Sequence, residues 1–369
     1  MTDASTSPAL PPEPRALSPV PAPAKPVLFG LTLAGLGEVA GQCGLPRFAA
    51  KQLADWLYKK DVASIEAMTN LSAKARAELA EHYEMGLVPP TKVQVSTDGT
   101  KKYLYPTLHD RSIETAWIPD DEERGTLCVS TQVGCKMGCL FCMTAKQGFQ
   151  GHLSAGEIVN QLRSLPERGL VRNMVFMGMG EPLDNLPALF DSLEILTSEW
   201  GFAMSPRRIT VSTIGIVPAL KEFLAKSHCH LAVSLHSPFD EERQKLMPIQ
   251  KVHPIADVLA AIRAHEFENQ RRVSFEYILF KGINDTTRHV KELARILNGL
   301  FCRINLMRFH PVPGTPLRGS DEATIAAFQQ GLEEKGIITT VRRSRGLDIA
   351  AACGLLSTRP LATPVGERP

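Results

Sequence analysis

A chain of 369 residues is long enough for a large core and more than one domain. With 44% apolar and 22% charged residues, and no apolar run near the ~20 residues of a bilayer span, it reads as an ordinary globular protein rather than a membrane-spanning one. A net charge of +2 does not declare a nucleic-acid binder, but Lys101-Lys102, Arg207-Arg208, Arg271-Arg272 and Arg342-Arg343-Ser344-Arg345 are basic clusters compatible with RNA.

Residues 1–26 are rich in Pro, Ala and Ser, with eight prolines from Pro8 to Pro26, and cannot bury enough apolar surface to fold. The chain shows no basic start followed by an apolar leader. A cytoplasmic, reducing location is therefore expected, with free thiols unless catalysis uses them.

Residues 27–90 read as a small helical accessory module. Pro46 marks a helix start, with Phe48, Leu53, Trp56 and Leu57 at helical spacing. A second helix runs from Asn70 to about Met85. The pattern fits an RNA-binding module and a structural cap equally well. Residues 91–125 read as an antiparallel strand extension: Val93 and Val95 alternate with polar residues, Asp98-Gly99 forms a hairpin turn, and Tyr103 and Tyr105 resume the alternation. The next strand, Ser112–Ile118, carries Glu114, a type of residue usually exposed there.

From residue 126 to 356 the rhythm becomes strand then helix, six times. Strands are expected near 126–132, 173–178, 208–213, 230–235, 272–280 and 303–309. Helices are expected near 154–165, 185–198, 217–227, 253–266, 286–298 and 321–335, with Ser154, Asn185, Asp285 and Ser320 as caps. Such alternation predicts an α/β fold with a parallel sheet, and six units predict a partial (βα)6 barrel rather than a closed eight-stranded one. Residues 357–369 are expected to be a flexible tail.

Loops at the strand C-termini should then hold the site. Cys135, Cys139 and Cys142 follow the first strand at a CxxxCxxC spacing, unlike the paired knuckles of structural zinc. Three thiolates can hold three irons of a 4Fe–4S cube and leave the fourth open. Gly178-Met179-Gly180-Glu181-Pro182 follows the second strand, where glycine permits close backbone approach and Glu181 can accept from an ammonium group. Ser212, the Ser234-Leu235-His236 run and Asn305 end three later strands, a pattern that fits one ligand lying across the barrel mouth. A final strand is expected to return Cys353 to that mouth. From the residues alone, Cys353 and Cys128 read as small packed thiols, and so do Cys43, Cys229 and Cys302.

The cysteine loop, with Phe141 before its last Cys, resembles the radical-SAM signature. Together with Thr126–Cys135, Gly178–Leu183, Thr210–Thr213, Ser234–His236 and Arg345–Gly354, it resembles the RlmN/Cfr family over about residues 30–356. The resemblance implies a methyltransferase that acts on adenine carbon 2 in 23S rRNA and tRNA, the alternative being the carbon-8 chemistry of the Cfr type. It implies a 4Fe–4S cluster on Cys135, Cys139 and Cys142, and S-adenosylmethionine held by Gly180, Glu181, Ser212, Ser234, Leu235, His236 and Asn305. Cys353 would carry the methyl group, Glu114 would accept the proton at the attacked carbon, and Cys128 would release the product by forming a disulfide with Cys353. A reductant protein, a monomeric state and no membrane complete the expectation. The target adenine must leave its stack to react. Arg342, Arg343 and Arg345 are the expected phosphate contacts.

Overall fold

The computed structural model describes residues 23–60, 62–108, 110–122, 124–267 and 273–358. The tail 1–22, Arg271-Arg272 and residues 359–369 lie outside the described residues.

The chain begins with α1 (Leu33–Gln42), capped by Thr32, and α2 (Ala49–Ala54), which continues as a π-turn over Asp55–Lys59. The sequence reading missed α1, whose Gly35, Gly37 and Gly41 lower helix propensity. Leu53 and Leu57 are buried as their spacing predicts, whereas Phe48 stays 64% exposed. α3 (Ala73–His82) is shorter at both ends than expected, starting at the Ser72 cap.

Three antiparallel strands follow: β1 (Lys92–Val95), β2 (Lys101–Pro106) and β3 (Ser112–Pro119). Gly99 adopts φ +82° in the Asp98-Gly99 turn, and Tyr103 and Tyr105 are buried. β3 pairs antiparallel with β4 (Gly125–Cys128), so this extension belongs to the barrel sheet itself. After β4 come the short pair β5 (Gln132–Val133) and β6 (Gly151–His152), with α4 (Met143–Gln147) between them. The repeats then run α5 (Ala155–Arg163), β7 (Val171–Phe176), α6 (Leu186–Thr197), β8 (Ile209–Thr213), α7 (Val217–Lys226) and β9 (His230–Ser234). They continue through α8 (Asp240–Leu246), α9 (Ile255–Arg263), β10 (Val273–Leu279), α10 (Thr287–Leu297), β11 (Cys302–Arg308), α11 (Glu322–Glu333) and β12 (Ile338–Val341).

β4, β7, β8, β9, β10 and β11 lie side by side in parallel, the six strands expected, and β12 adds a seventh. The two edge strands are β1 and β12, so the barrel remains open. β10 is buried at every position, as a parallel strand covered on both faces must be. β12 ends at Val341, and Cys353 sits on the irregular segment beyond it rather than on a strand.

One continuous apolar core joins the N-terminal helices to the barrel. Tyr58 packs against Trp200 and Phe202 at 5.8 Å each, and its hydroxyl donates to the Leu31 carbonyl at 2.6 Å. No helix of the described residues is long and apolar enough to cross a membrane.

Candidate active site

The cysteine loop leaves β4 and β5 and is tied down on several sides. Leu140 N–H donates to the Leu246 carbonyl (2.9 Å) and Met143 N–H to the Gly354 carbonyl (2.8 Å). Gln132 links it to the loop after β7: its Oε1 accepts from Glu181 N–H (2.9 Å) and its Nε2 donates to Asp184 (2.8 Å). Lys136 pairs with the same Asp184 at 2.8 Å. Gly180 is required at this junction. Its φ is +101°, and a Cβ there would stand 2.5 Å from the Gln132 Cβ.

Cys135, Cys139 and Cys142 open onto a single cavity at the barrel mouth. Burial is the main force on all three thiols: it pushes Cys135 up to about 12, Cys139 well above the usual thiol range, and Cys142 upward. They ionise only beside a strong cationic centre, as a metal cluster provides. The sulfurs do not all lie within 4.8 Å of one another; among the described residues the group that does is Glu78, Glu81 and His82. One tetrahedral zinc would draw thiolates to roughly 4 Å, whereas separate irons of a cube need no such convergence. The donor set therefore fits an iron–sulfur cluster.

Gly180, Glu181, Ser212, Ser234 and His236 line the same cavity. Glu181 is buried, and desolvation raises its carboxyl to about 7 against hydrogen bonds from Thr213, Ile214 and Leu183. Those three donors, at 2.6, 3.0 and 3.1 Å, occupy most of its lone-pair positions. His236 adopts φ +55°, and burial lowers its pKa to about 3, with Arg243 adding to the effect. Its Nδ1 accepts from Ile278 N–H at 3.0 Å, so the neutral ring carries its proton on Nε2. Phe141 of the cysteine loop packs edge-on against this ring at 4.7 Å.

Cys128 and Cys353 also line the cavity. Cys353 is the exposed cysteine of the eight, contrary to the packing expected from the residues alone, and Cys128 is buried. All eight are free thiols, so the expected disulfide is not a resident cross-link of the fold. The remaining expected residues stand further back. The Leu235 side chain is fully buried in the main core. Asn305 does not reach the cavity wall: its Nδ2 donates to Glu276 (2.8 Å) and its Oδ1 accepts from Thr340 (2.6 Å). Glu114 is buried rather than exposed, paired with Lys102 at 2.9 Å and accepting from Ser357 N–H at 2.9 Å. Burial raises its pKa, with Lys102 and Ser357 opposing.

Residues 129–295 match the Radical SAM superfamily model, and residues 27–85 match the ribosomal RNA large subunit methyltransferase N-terminal domain. A probable dual-specificity RNA methyltransferase RlmN of Porphyromonas gingivalis is 56% identical over 90% of this chain and 94% of its own length. The dual-specificity RNA methyltransferase RlmN of Nautilia profundicola is 41% identical over 86% and 94%. The chain belongs to the RlmN family. A solved radical-SAM methyltransferase from Sphaerobacter thermophilus, 40% identical, superposes with a TM-score of 0.83 over 90% of this chain and 99% of that one.

Two residues that shape this RlmN-family site escaped the sequence reading. Arg243, inside the charged run of α8, is fully buried. Its guanidinium donates to the Ile214, Ser234 and Leu235 carbonyls and to Gln250, pinning the ends of β8 and β9 together. Nothing in a polar helical run distinguishes such a residue from a solvated one. Glu276, in β10, is buried and lines the cavity; its Oε1 accepts from Ser274 and Asn305, while Oε2 has no hydrogen-bond partner. A carboxylate in an otherwise continuously buried strand was the available signal.

Proposed function

We propose that this radical-SAM RNA methyltransferase places a methyl group on carbon 2 of an adenine in 23S rRNA and in tRNA, using Cys353 as the methyl carrier. Adenine carbon 2 is electron-poor and does not attack a methyl donor by itself, so a covalent carrier is needed. The reading is carried by one observation: Cys353 and Cys128 share a cavity wall with Cys135, Cys139 and Cys142.

A 4Fe–4S cluster held by Cys135, Cys139 and Cys142 supplies, when bound, the electron that cleaves S-adenosylmethionine to a 5′-deoxyadenosyl radical. The chain's own residues do the rest. Gly180, Glu181, Ser212, Ser234 and His236 position S-adenosylmethionine, the backbone at Leu235 contributes from the β9 end, and Asn305 acts by steadying Glu276. His236 offers an Nε2–H donor to the ligand. Exposed Cys353 takes a methyl group and presents it to the base, and Cys128 is the second thiol that frees the product. Glu114, raised by burial, takes the proton from the attacked carbon; its access requires the Ser357 contact to open. The helical module 27–90 is assigned to gripping RNA around a flipped-out adenine. Arg343 and Arg345 are assigned to phosphate; Arg342, which lines the cavity with them, stands 3.6 Å from Glu276. A monomeric enzyme served by a separate reductant protein in the cytoplasm completes the reading.

The test is mass spectrometry of the Cys353 peptide after anaerobic cluster reconstitution and incubation with S-adenosylmethionine. We expect one added methyl group on that peptide and no RNA methylation by Cys353→Ala. Nucleoside analysis of the RNA product then separates carbon 2 from carbon 8. Cleavage of S-adenosylmethionine with an unmodified Cys353 would overturn the carrier reading.

A further inference from the structure

Beyond β12 the chain runs from Arg342 to Thr358 without a regular helix or strand, and Cys353 lies on this stretch. It is pinned on both sides of the cysteine. C-terminal to Cys353 the ties run to α4 and β3. Met143 N–H donates to the Gly354 carbonyl (2.8 Å), the Thr144 hydroxyl to the Leu356 carbonyl (2.7 Å), and Ser357 N–H to Glu114 (2.9 Å).

N-terminal to Cys353 the tie runs to the tip of the β1–β2 hairpin. One oxygen of Asp348 accepts from the Ser96 hydroxyl (2.5 Å) and the other from Thr97 N–H (3.0 Å). Asp98, on the hairpin, returns the contact: its Oδ2 accepts from Gly346 N–H (2.8 Å), while its Oδ1 accepts from Thr100 N–H (2.9 Å). Each chain thus offers a carboxylate to the other's donors. The approach is close. Gly346 has φ +64°, and a Cβ there would stand 2.8 Å from the Ala351 Cβ and 2.9 Å from the Thr100 Cγ2. A turn then folds the chain back toward Cys353, with Ala350 N–H donating to the Leu347 carbonyl (3.1 Å) and Ala351 N–H to the Gly346 carbonyl (2.8 Å). Ala351 is buried in one apolar cluster with Cys128, and Ala352 in another with Cys135 and Cys139. Neither Asp98 nor Asp348 lines the cavity, so both act on it through this segment.

We propose that Asp348, locked to the β1–β2 hairpin together with Asp98, is a positioning residue for Cys353, and that holding this segment is the task of the strand extension in the reaction. A segment anchored at both ends has little freedom left to lose when its cysteine meets the methyl donor; freed at one end, it must be ordered anew for each transfer. In that transfer the Cys353 sulfur gives its proton to water and forms the S–C bond, the sulfonium–methyl bond breaks, and S-adenosylhomocysteine leaves with the electron pair. The inference rests on the carrier reading for what the position serves; the lock itself does not.

The test uses the full, cluster-loaded chain under anaerobic conditions, without RNA, and takes two readouts. Hydrogen exchange read by peptide mass spectrometry, without S-adenosylmethionine, follows residues 346–352, 354–358 and the barrel strands. Single-turnover methylation of Cys353 over a range of S-adenosylmethionine concentrations separates the limiting rate from the half-saturating concentration. Asp348→Ala should speed exchange in 346–352 roughly tenfold and leave 354–358 and the barrel strands unchanged. It should lower the limiting methylation rate roughly tenfold at an unchanged half-saturating concentration. Asp348→Asn, which keeps an acceptor for Ser96, should recover part of both losses. Wild-type exchange in Asp348→Ala would overturn the proposal, and so would faster exchange with a wild-type methylation rate. A rise in exchange across the barrel strands would mark a general loss of stability and would also overturn it. A wild-type Cys353 that is never methylated would instead sink the carrier reading, with the exchange contrast still reporting on the lock.

Discussion

At the scale of single residues, burial at the barrel mouth disfavours the charged forms of its thiols, of His236 and of Glu181. Glu181 illustrates the cost. Its carboxyl titrates at about 7 in the fold against an ordinary 4.5, with burial as the first cause. Between those pH values the folded chain binds a proton that the unfolded chain has lost. This stability is therefore fully present below about 4.5 and is lost as pH rises through about 7. A shift of this size is worth about 3 kcal/mol. We expect the urea stability of the cluster-free chain to fall between pH 5 and pH 8, and to fall by less in Glu181→Gln. Identical declines in both proteins would refute this assignment. That Glu181 lines the cavity was legible from its glycine-flanked motif. Its three backbone and hydroxyl donors were not, because they come from the β8 end as well as from its own loop.

At the scale of elements, the period-3.6 and period-2 patterns located the six strands and helices of the repeat but missed α1, the short α4 and α8, and the β5–β6 pair; within the repeat, errors gathered at element ends. Ser154 caps α5 as expected: its hydroxyl accepts from Glu157 N–H (3.2 Å), while Glu157 accepts from the Ser154 N–H (2.8 Å). Asp285 and Ser320 were each one residue early, since Thr286 and Asp321 are the actual caps of α10 and α11. Asn185 holds the cap position of α6 but spends its amide on the Thr131 and Leu153 carbonyls. Adjacent polar residues compete for the same N–H groups, and packing decides between them. The Ser154 box matters beyond α5. Glu157 also accepts from Leu108 N–H (2.9 Å), and Gln161 one turn on holds Ser130 beside the cysteine loop. Ser154→Ala should cost about 1 kcal/mol, read as a lower thermal midpoint; an unchanged midpoint would show the cap to be idle.

At the scale of the whole molecule, the N-terminal helices seat on the barrel through a contact of two glycines. Gly30 has φ +100°, and a Cβ there would lie 2.3 Å from the Gly156 Cα. Neither backbone can yield without shifting α5, so Gly30→Ala should destabilise the chain by about 2 kcal/mol or more in denaturant unfolding. Gly169→Ala, which meets nothing within 4 Å, is the matched control and should change stability by less than about 0.5 kcal/mol. Equal effects at both positions would show that the seat is loose.

The sequence by itself determined the repeat, its open six-unit form and the three-cysteine loop, because these rest on short-range periodicity and on chemistry confined to a few neighbouring residues. Tyr103, Tyr105, Leu53 and Leu57 went to the core for the same reason. Only the tertiary structure decided what lies between distant segments. It placed Cys353 and Cys128 on the wall of one cavity, set Arg342 against Glu276, buried Arg243 under two strand ends, and closed Ser357 over Glu114. Each of these joins residues from different strands or loops. Their partners follow from how the sheet stacks its strands, and no local pattern in the chain encodes that order.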